Sequence, residues 1–283
     1  MLETRMSIQL SVLGSGSAGN CTLVSISQPP DGPRVHRPFN LLIDLGLSLK
    51  QTRLRLDTYG MTLDEIDAVI LTHLDQDHLR PVWRKTLRTN NIPVHIHQIH
   101  SGAARQILDT QNIMCYQNEV VLGPDISIKP IRLAHDDSGT IGFVFQAYQT
   151  RFGFATDLGH VPDELLEHFV ELDAVALESN YDPEMQRQAD RPSFVKQRVM
   201  SNHGHLSNAE ALEAITQIAA RSTLGHVVLI HLSRQCNCPE LVSDLWRTKA
   251  PELYDCLTIA DQHTPTQLLQ LSQSLPIPVP ELF

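Results

Sequence analysis

Leu71-Thr72-His73-Leu74-Asp75-Gln76-Asp77-His78 is the stretch of this sequence that decides the fold. It follows Ala68-Val69-Ile70, an apolar run with β-branched residues that predicts a buried strand. The octet therefore places two imidazoles and two carboxylates in the loop that leaves this strand. Neutral imidazole and ionised carboxylate are the protein groups that divalent metals bind, so the octet predicts a metal site at the strand end.

The spacing within the octet indicates more than one ion. His73 and Asp75 are two positions apart and share one direction if the backbone stays extended. Asp77 and His78 are adjacent and point apart, so the loop has to curl around more than one point, as at two neighbouring metal ions. The alternative interpretation is a polar, solvated loop in which an Asp caps a turn.

Length and composition favour one domain. A chain of 283 residues, 42% of them hydrophobic, can bury about three-quarters of the surface that its unfolded chain exposes. We expect a domain over residues 1–261 and an extended tail over 262–283, where four prolines occur. A Pro-rich, polar stretch at 28–38 predicts a surface excursion between strands.

The charge and cysteine patterns exclude some classes of protein. A formal net charge of -10 argues against a generally basic nucleic-acid-binding surface, but not against a local basic groove. Five cysteines show no framework spacing. The one close pair, Cys236-Asn237-Cys238, suits a soft metal or redox chemistry, but because it has no partner pair we expect ordinary reduced thiols. Because no apolar run is long enough to cross a bilayer, we expect a cytoplasmic protein without membrane contact.

Hydrophobic periodicity predicts alternating strands and helices. The predicted strands cover 8–13, 21–26, 39–43, 68–70, 92–96, 126–133, 141–147, 152–155, 174–177, 226–230 and 257–260. The predicted helices cover 48–56, 81–87, 102–108, 162–170, 194–200, 207–220 and 239–249. The Gly/Ser loop at 14–20 is expected to be a turn that needs positive φ, or else an anion cradle.

Residues of metal-ligand type recur just past the predicted strand ends. Asp44, His135, Asp157 and His231 occupy such positions, as the octet does. Since α/β folds build their chemistry at strand ends, we expect these side chains to converge on one site.

These residues also resemble a known family. The H-x-[HD]-x-D-H motif after a strand, followed by a later His, Asp and His, resembles the metallo-β-lactamase fold, an α/β fold built as a four-layer αβ/βα sandwich. Within that fold the Glu-Ser-Asn and Gly-His-Leu-Ser-Asn segments narrow the resemblance to the WalJ/YycJ group of small bacterial metallohydrolases. The matching stretches are 11–20, 71–78, 134–136, 155–159, 178–182, 204–208 and 231–233.

The resemblance implies two divalent metal ions. By this resemblance one ion is expected to be held by His73, Asp75 and His135, and the other by Asp77, His78 and His231. Asp157 is expected to bridge the two ions. Asp44 is implied to support the ligands by hydrogen bonding. The family usually has His where this chain has Asp75, and a carboxylate there favours Mn²⁺ or Mg²⁺ over Zn²⁺ or weakens that site to leave one ion.

Other polar residues carry alternative interpretations. His205 either donates to a substrate phosphate or leaving group, or binds backbone near a helix cap. Asn180 resembles a residue at the edge of the family's site, and Arg234 either meets an anionic substrate or is simply solvated. Three more histidines lack nearby carboxylates in the sequence and are expected to be ordinary surface or core residues: His95, His97 and His100.

The reaction class that these observations favour is metal-assisted hydrolysis. Two cations lower the pKa of a shared water to supply hydroxide near neutral pH, with Asp77 managing its proton. The resemblance implies a phosphodiesterase, most simply a nuclease acting on DNA or RNA. The alternatives are a hydrolase of a small cyclic phosphodiester, thioester or lactone, and a weakly active metal-binding regulatory protein; the oligomeric state is left open.

Overall fold

Strands and helices alternate along the chain. The computed structural model describes residues 7–27, 37–109, 111–123 and 125–271. The strands are β1 (Ser7–Gly14), β2 (Cys21–Ser27), β3 (Phe39–Ile43), β4 (Ala68–Leu71), β5 (Val94–His97), β6 (Ile113–Tyr116), β7 (Val120–Gly123), β8 (Ile126–Leu133), β9 (Thr140–Ala147), β10 (Thr150–Ala155), β11 (Ala174–Glu178), β12 (His226–Ile230), β13 (Leu257–Ile259) and β14 (Leu269–Leu271). The helices are α1 (Leu49–Asp57), α2 (Arg84–Thr89), α3 (Ser101–Leu108), α4 (Asp163–His168), α5 (Pro183–Gln188), α6 (Ser193–Val199), α7 (Asn208–Ala219), α8 (Pro239–Lys249) and α9 (Pro251–Tyr254). Short 3₁₀ helices cover Leu63–Glu65, Pro81–Trp83 and Gln98–His100.

The strands form two mixed sheets of seven strands each within these described residues. The first has the order β14-β1-β2-β3-β4-β5-β6 and the second the order β13-β12-β11-β10-β9-β8-β7. In the first sheet β3 through β6 run parallel, and in the second β10 through β13 run parallel. Each sheet therefore gathers several strand carboxyl ends at one edge, where the loops that follow them meet.

Three apolar clusters separate four layers. Leu10 and Ile70 of the first sheet pack with Phe143 and Phe152 of the second in a core between the sheets. A second cluster joins the first sheet to α1, α2 and α3, and a third joins the second sheet to α4, α7 and α8. Because each fully buried large side chain contributes about 1.5–3 kcal/mol, these clusters supply most of the driving force for the layering. The predicted four-layer α/β sandwich is confirmed.

Most predicted elements are found, with shifted ends. The Ser48 hydroxyl caps α1 and the Ser207 hydroxyl caps α7, each in a capping box with the side chain three positions later. The predictions omit β6, β7, β14, α5 and α9, which are short and lie at sheet edges or chain turns. The predicted helix at 81–87 is a 3₁₀ turn that continues into α2.

The first part of the predicted tail pairs with the first strand of the predicted domain. β14 pairs antiparallel with β1, and the Tyr59 hydroxyl donates to the Thr266 carbonyl at 2.6 Å. Residues 262–271 thus continue from the domain as a paired segment, whereas residues 272–283 of the predicted tail lie outside the described residues. So does most of the predicted excursion at 28–38, of which only the last two residues are described.

No helix in the described part of the chain is long and apolar enough to cross a membrane.

Backbone contacts fix the octet against the loops that follow β1 and β3. The Asn20 amide donates to the Asp77 carbonyl at 2.7 Å, and the Gly46 amide donates to the Asn20 carbonyl at 2.8 Å. In the Gly/Ser loop the Gly16 amide donates to Asn20 Oδ1 and the Ala18 amide to Gln262 Oε1. The loop therefore uses these amides within the protein, as its interpretation as a turn predicts.

Gly46 provides a test of this close approach. A Cβ on Gly46 would lie 1.6 Å from the Asp77 carbonyl oxygen, so Gly46→Ala forces the octet away from β3. We expect the free energy of unfolding in urea to fall by at least about 1–3 kcal/mol, the usual cost of overpacking.

Gly102 in α3 is the matched control. A Cβ there meets no heavy atom within 4 Å, so Gly102→Ala should leave stability unchanged or raise it by about 0.5–1 kcal/mol. Equal effects of the two substitutions would contradict the packing argument.

Candidate metal centre

Three strand exits share one unusual backbone conformation. Asp44 after β3, Asp157 after β10 and His231 after β12 have φ values of 63°, 52° and 58°. This left-handed conformation costs a non-glycine residue conformational free energy, and residues that adopt it concentrate at functional sites. At each exit this residue just past the strand also directs its side chain into the centre.

His73 presents a buried nitrogen without a hydrogen-bond partner. Its Nδ1 lies 3.0 Å from the Thr72 hydroxyl, while its Nε2 is buried and makes no hydrogen bond to any described residue. Burial lowers the pKa of His73 well below the usual value, which favours the neutral ring. The Thr72 hydroxyl donates to Asp44 and therefore accepts from His73 Nδ1, which leaves the lone pair on Nε2. An unpaired buried acceptor of this kind fits a metal ligand.

His135 and Asp157 complete a first group with His73. Ligand atoms of the three residues lie within 4.8 Å of one another, and all three residues are buried. His135 Nδ1 donates to the Gly204 carbonyl at 2.9 Å, which directs its Nε2 into the group, 3.9 Å from Asp157 Oδ1. A backbone acceptor that fixes the outer nitrogen is the usual support of a ligating histidine.

Asp77, His78 and His231 form a second group, again within 4.8 Å. Asp77 Oδ2 lies 3.4 Å from His231 Nε2 and 3.8 Å from His78 Nε2. His78 Nδ1 donates to Asp44 Oδ2 at 2.7 Å, so the carboxylate that resemblance implied as a support does contact a candidate ligand.

Asp157 lies between the two groups. One of its oxygens, Oδ2, is 3.0 Å from His78 Nε2, and the other faces His135 and also His231 Nδ1 at 3.5 Å. Burial raises its pKa, but the imidazoles of His231 and His78 outweigh burial and hold the pKa well below its usual range. Asp157 is therefore a carboxylate anion placed where both groups can use it.

Asp75 occupies the rim. Its side chain is 57% exposed, and Oδ2 lies 3.9 Å from His73 Nε2. It also forms a group with His135 and Asp136. Partial burial raises its pKa. Asp75 thus stands beside the first group and remains accessible to solvent.

Glu178 is the residue that sequence reasoning missed. At the end of β11, fully buried, it binds His205 Nδ1 at 2.7 Å and His231 Nδ1 at 3.0 Å through Oε1. It also accepts the Leu158 amide through Oε2. The signal was present, because Glu178 is a carboxylate at a strand end like Asp44 and Asp157.

His205 belongs to the centre rather than to the helix cap. It forms a group with Asp157, Glu178 and His231, and the Glu178 carboxylate raises its pKa against the effect of burial. The cap of α7 is made by Ser207 instead. The alternative of a backbone-binding cap histidine is therefore not what the structure shows.

The remaining candidate residues lie either at the edge of the centre or outside it. Asn180 Nδ2 donates to the His231 carbonyl at 2.8 Å, and Arg234 is exposed three residues further along. His97 and His100 are buried on and after β5, where burial lowers their pKa values, and His95 lies on the same strand; none belongs to the four groups described above. All five cysteines are free thiols, as expected.

Comparison with known proteins gives the same fold and relatives that act on DNA. The family model described as "Beta-lactamase superfamily domain" matches residues 39–232. The chain is 27% identical over 240 residues to exodeoxyribonuclease YycJ of Bacillus anthracis, covering 83% of this chain and 86% of that protein. It is 26% identical over 244 residues to exodeoxyribonuclease WalJ of Streptococcus pneumoniae serotype 2, covering 84% and 86%.

Solved structures agree on the fold. The metallo-β-lactamase fold protein YhfI from Bacillus subtilis aligns with a TM-score of 0.65 at 18% identity over 92% of this chain and 99% of that chain. A diphosphatase from the PhnP family aligns with a TM-score of 0.63 at 15% identity over 95% and 99%.

The fold and the histidine and aspartate groups together indicate divalent metal ions at this centre. With a family match over more than half of its length and the layered sheets that go with it, the chain belongs to the β-lactamase superfamily, as a metal-dependent hydrolase of the metallo-β-lactamase fold.

Proposed function

We propose that this protein is a phosphodiesterase that degrades DNA from a strand end, using two divalent metal ions. The observation that carries the proposal is the position of Asp157 between two groups of imidazoles and carboxylates. One group alone would serve a single ion, whereas a shared carboxylate is what a pair of ions requires. The names of the curated relatives supply the choice of DNA.

The ligands divide between two positions. His73 and His135, with Asp75 at the rim, would hold the first ion, and Asp77, His78 and His231 would hold the second. Asp157 would be available to both. Asp44, Glu178 and the Gly204 carbonyl hold the outer nitrogens of the ligating histidines, which fixes their ring orientation.

Bound divalent ions lower the pKa of a bound water and stabilise the negative charge that develops on phosphorus oxygens. The chain's own residues then manage protons. Asp77 has its pKa held low, burial notwithstanding, by its hydrogen bond to His231, so it is an anion able to accept a hydrogen bond from the nucleophile. The Glu178 carboxylate accepts the His205 Nδ1–H and raises the pKa of His205 against the effect of burial, which favours a second proton on Nε2. That Nε2 proton is the one that His205 gives to the leaving oxygen, and the ring is left neutral.

Asp75 influences which metal ion the first position prefers. Carboxylate oxygen is a harder ligand than imidazole nitrogen, so the first position favours Mn²⁺ over Zn²⁺ relative to a site with histidine there. RNA is the second nucleic acid that the same chemistry would accept.

An exonuclease assay tests the proposal directly. End-labelled single- and double-stranded DNA should be shortened progressively in Mn²⁺, and EDTA should abolish the reaction. Turnover of bis(p-nitrophenyl) phosphate without any shortening of DNA or RNA would instead favour a hydrolase of small phosphodiesters. Bound metal with no turnover of either kind would favour a regulatory protein.

Asp157→Asn tests the shared ligand. The amide keeps the shape but loses the negative charge, so we expect kcat/KM on bis(p-nitrophenyl) phosphate to fall by more than about 100-fold, beyond the 10- to 100-fold typical of outer partners. Elemental analysis should show less than the wild-type metal content. Asp255→Asn, at an exposed position after α9, is the control and should retain both metal and activity.

Asp75→His tests the role of the rim carboxylate in metal choice. If Asp75 contacts the first ion, the substitution should raise the Zn²⁺ to Mn²⁺ ratio in protein equilibrated with equal concentrations of both, because imidazole is the softer ligand. An unchanged ratio, measured by elemental analysis, would mean that the carboxylate turns outward into solvent.

A further inference from the structure

Helix α6 buries none of its residues, a property that it shares with the four-residue α9 among the described helices. Phe194, in its first turn, is 72% exposed, the largest exposed fraction among the large hydrophobic side chains of the described residues. Exposing a phenylalanine forgoes about 1.5–3 kcal/mol of burial. A single exposed apolar side chain is ordinary on a protein surface, so what distinguishes Phe194 is its place beside the candidate centre and among basic side chains.

The carboxyl end of α6 is attached to the candidate metal centre. The His205 amide donates to the Val199 carbonyl at 2.9 Å, and the Asp136 amide donates to the His203 carbonyl at 3.0 Å. The Arg198 guanidinium binds both carboxylate oxygens of Asp136, the residue after His135. The helix therefore projects from the centre and is held there by its own backbone.

Phe194 and Arg198 share one face of α6. They are four positions apart, one helical turn, and lie about 6 Å from each other along the axis. Since Arg198 reaches the neighbour of a candidate ligand, the exposed ring stands roughly one turn further out on the same face. The ring therefore belongs to the surface beside the centre, on the face of the helix that Arg198 anchors to Asp136.

The charge around the ring is opposite to that of the whole chain. Residues 183–204 carry four basic side chains against two acidic ones, in a chain whose net charge is -10. The basic side chains are Arg187, Arg191, Lys196 and Arg198. Arg187 pairs with Glu184 and Arg198 with Asp136, which leaves Arg191 and Lys196 as the basic side chains of this segment without an ion pair to a described residue. Arg191 donates to the Gln235 side chain, which places it beside the exposed Arg234.

We propose that this α6 surface, defined as Phe194 with Arg191, Lys196 and Arg234, binds the unpaired end of a DNA strand beside the scissile phosphodiester. Phe194 stacks on a base, and the cations contact the flanking phosphates. The inference rests on the proposed function and makes it more specific, because it names a single-stranded end as the form of DNA that the centre takes.

A second copy of the chain is the less favoured occupant. Stable protein interfaces bury about 800 Å² on each partner around an apolar core. On α6 the exposed large hydrophobic side chains are Phe194 and, just after it, Met200, with charged residues between them. One ring among cations matches the composition of a single-strand binding surface.

Three substitutions of Phe194 separate stacking from apolar contact. The probe is a fluorescein-labelled ten-residue oligothymidylate with phosphorothioate linkages, which resist cleavage, and binding is followed by anisotropy with the metal ions retained. Phe194→Ala and Phe194→Leu should each weaken the Kd by about 5- to 150-fold, the value of one stacked base. Phe194→Tyr keeps an aromatic face that can stack on a base, so its Kd should stay within about twofold of the wild-type Kd.

Leu241→Ala on α8 is the control, since Leu241 is another exposed hydrophobic residue, outside the α6 surface. It should bind the strand as wild type does. Lys196→Gln should reduce the slope of log Kd against log salt concentration by about 0.7, as expected for one lost phosphate contact on a single strand.

Kinetics distinguish failure of this inference from failure of the proposed function. In Mn²⁺, Phe194→Ala should lower the ratio of kcat/KM for single-stranded DNA to kcat/KM for bis(p-nitrophenyl) phosphate. If wild type shortens DNA and Phe194→Ala leaves Kd and this ratio unchanged, the α6 surface is not a strand site. A shift of Phe194→Ala to a smaller species in size-exclusion chromatography, with DNA binding intact, would overturn the proposal in favour of a second copy. If wild type shortens no DNA at all, the proposed function itself fails.

Discussion

Three carboxylates that solvent barely reaches constrain this centre: those of Asp44, Asp157 and Glu178. An ionised carboxylate in such a place costs several kcal/mol unless charges and hydrogen bonds compensate it. Each is compensated by imidazole, Asp44 and Asp157 by His78, and Glu178 by His205 and His231. The burial of these anions is stable only in a cluster that supplies positive charge, and divalent ions supply it in the most concentrated form.

This electrostatic requirement explains the backbone at the strand exits. Asp44 adopts the left-handed conformation, and its side chain accepts both the amide and the hydroxyl of Thr72. Because Thr72 is the first residue after β4, this pair of hydrogen bonds joins two neighbouring strand exits. Left-handed conformations cost about 1–3 kcal/mol each and persist only where the surroundings determine them. Here the determinants are the same hydrogen bonds that orient His78.

The sequence predicts those parts of the centre that are local. The octet can be found because strand, ligand types and spacing fall within a dozen residues, and Asp157 and His231 because each follows an apolar run. Glu178 also follows an apolar run, so its position was a signal, but its role was not visible in the sequence. That role depends on His205, 27 positions away, which only folding brings to 2.7 Å. The strand β14 escaped for a related reason. Its three residues become a strand only by pairing with β1 at the other end of the chain.

The rim of the centre is acidic as well. A centre surrounded by Asp75, Asp77, Asp136 and Asp137 repels a phosphodiester unless cations offset those carboxylates. Bound metal ions offset the inner ones. At the rim, Arg198 binds Asp136, and this hydrogen bond, with smaller contributions from the charges of Asp75 and Asp137, raises the pKa of the guanidinium above its usual value. One arginine thus neutralises part of the acidic rim and attaches α6 to it, so the helix that carries the exposed ring also makes the approach to the centre less repulsive for a polyanion.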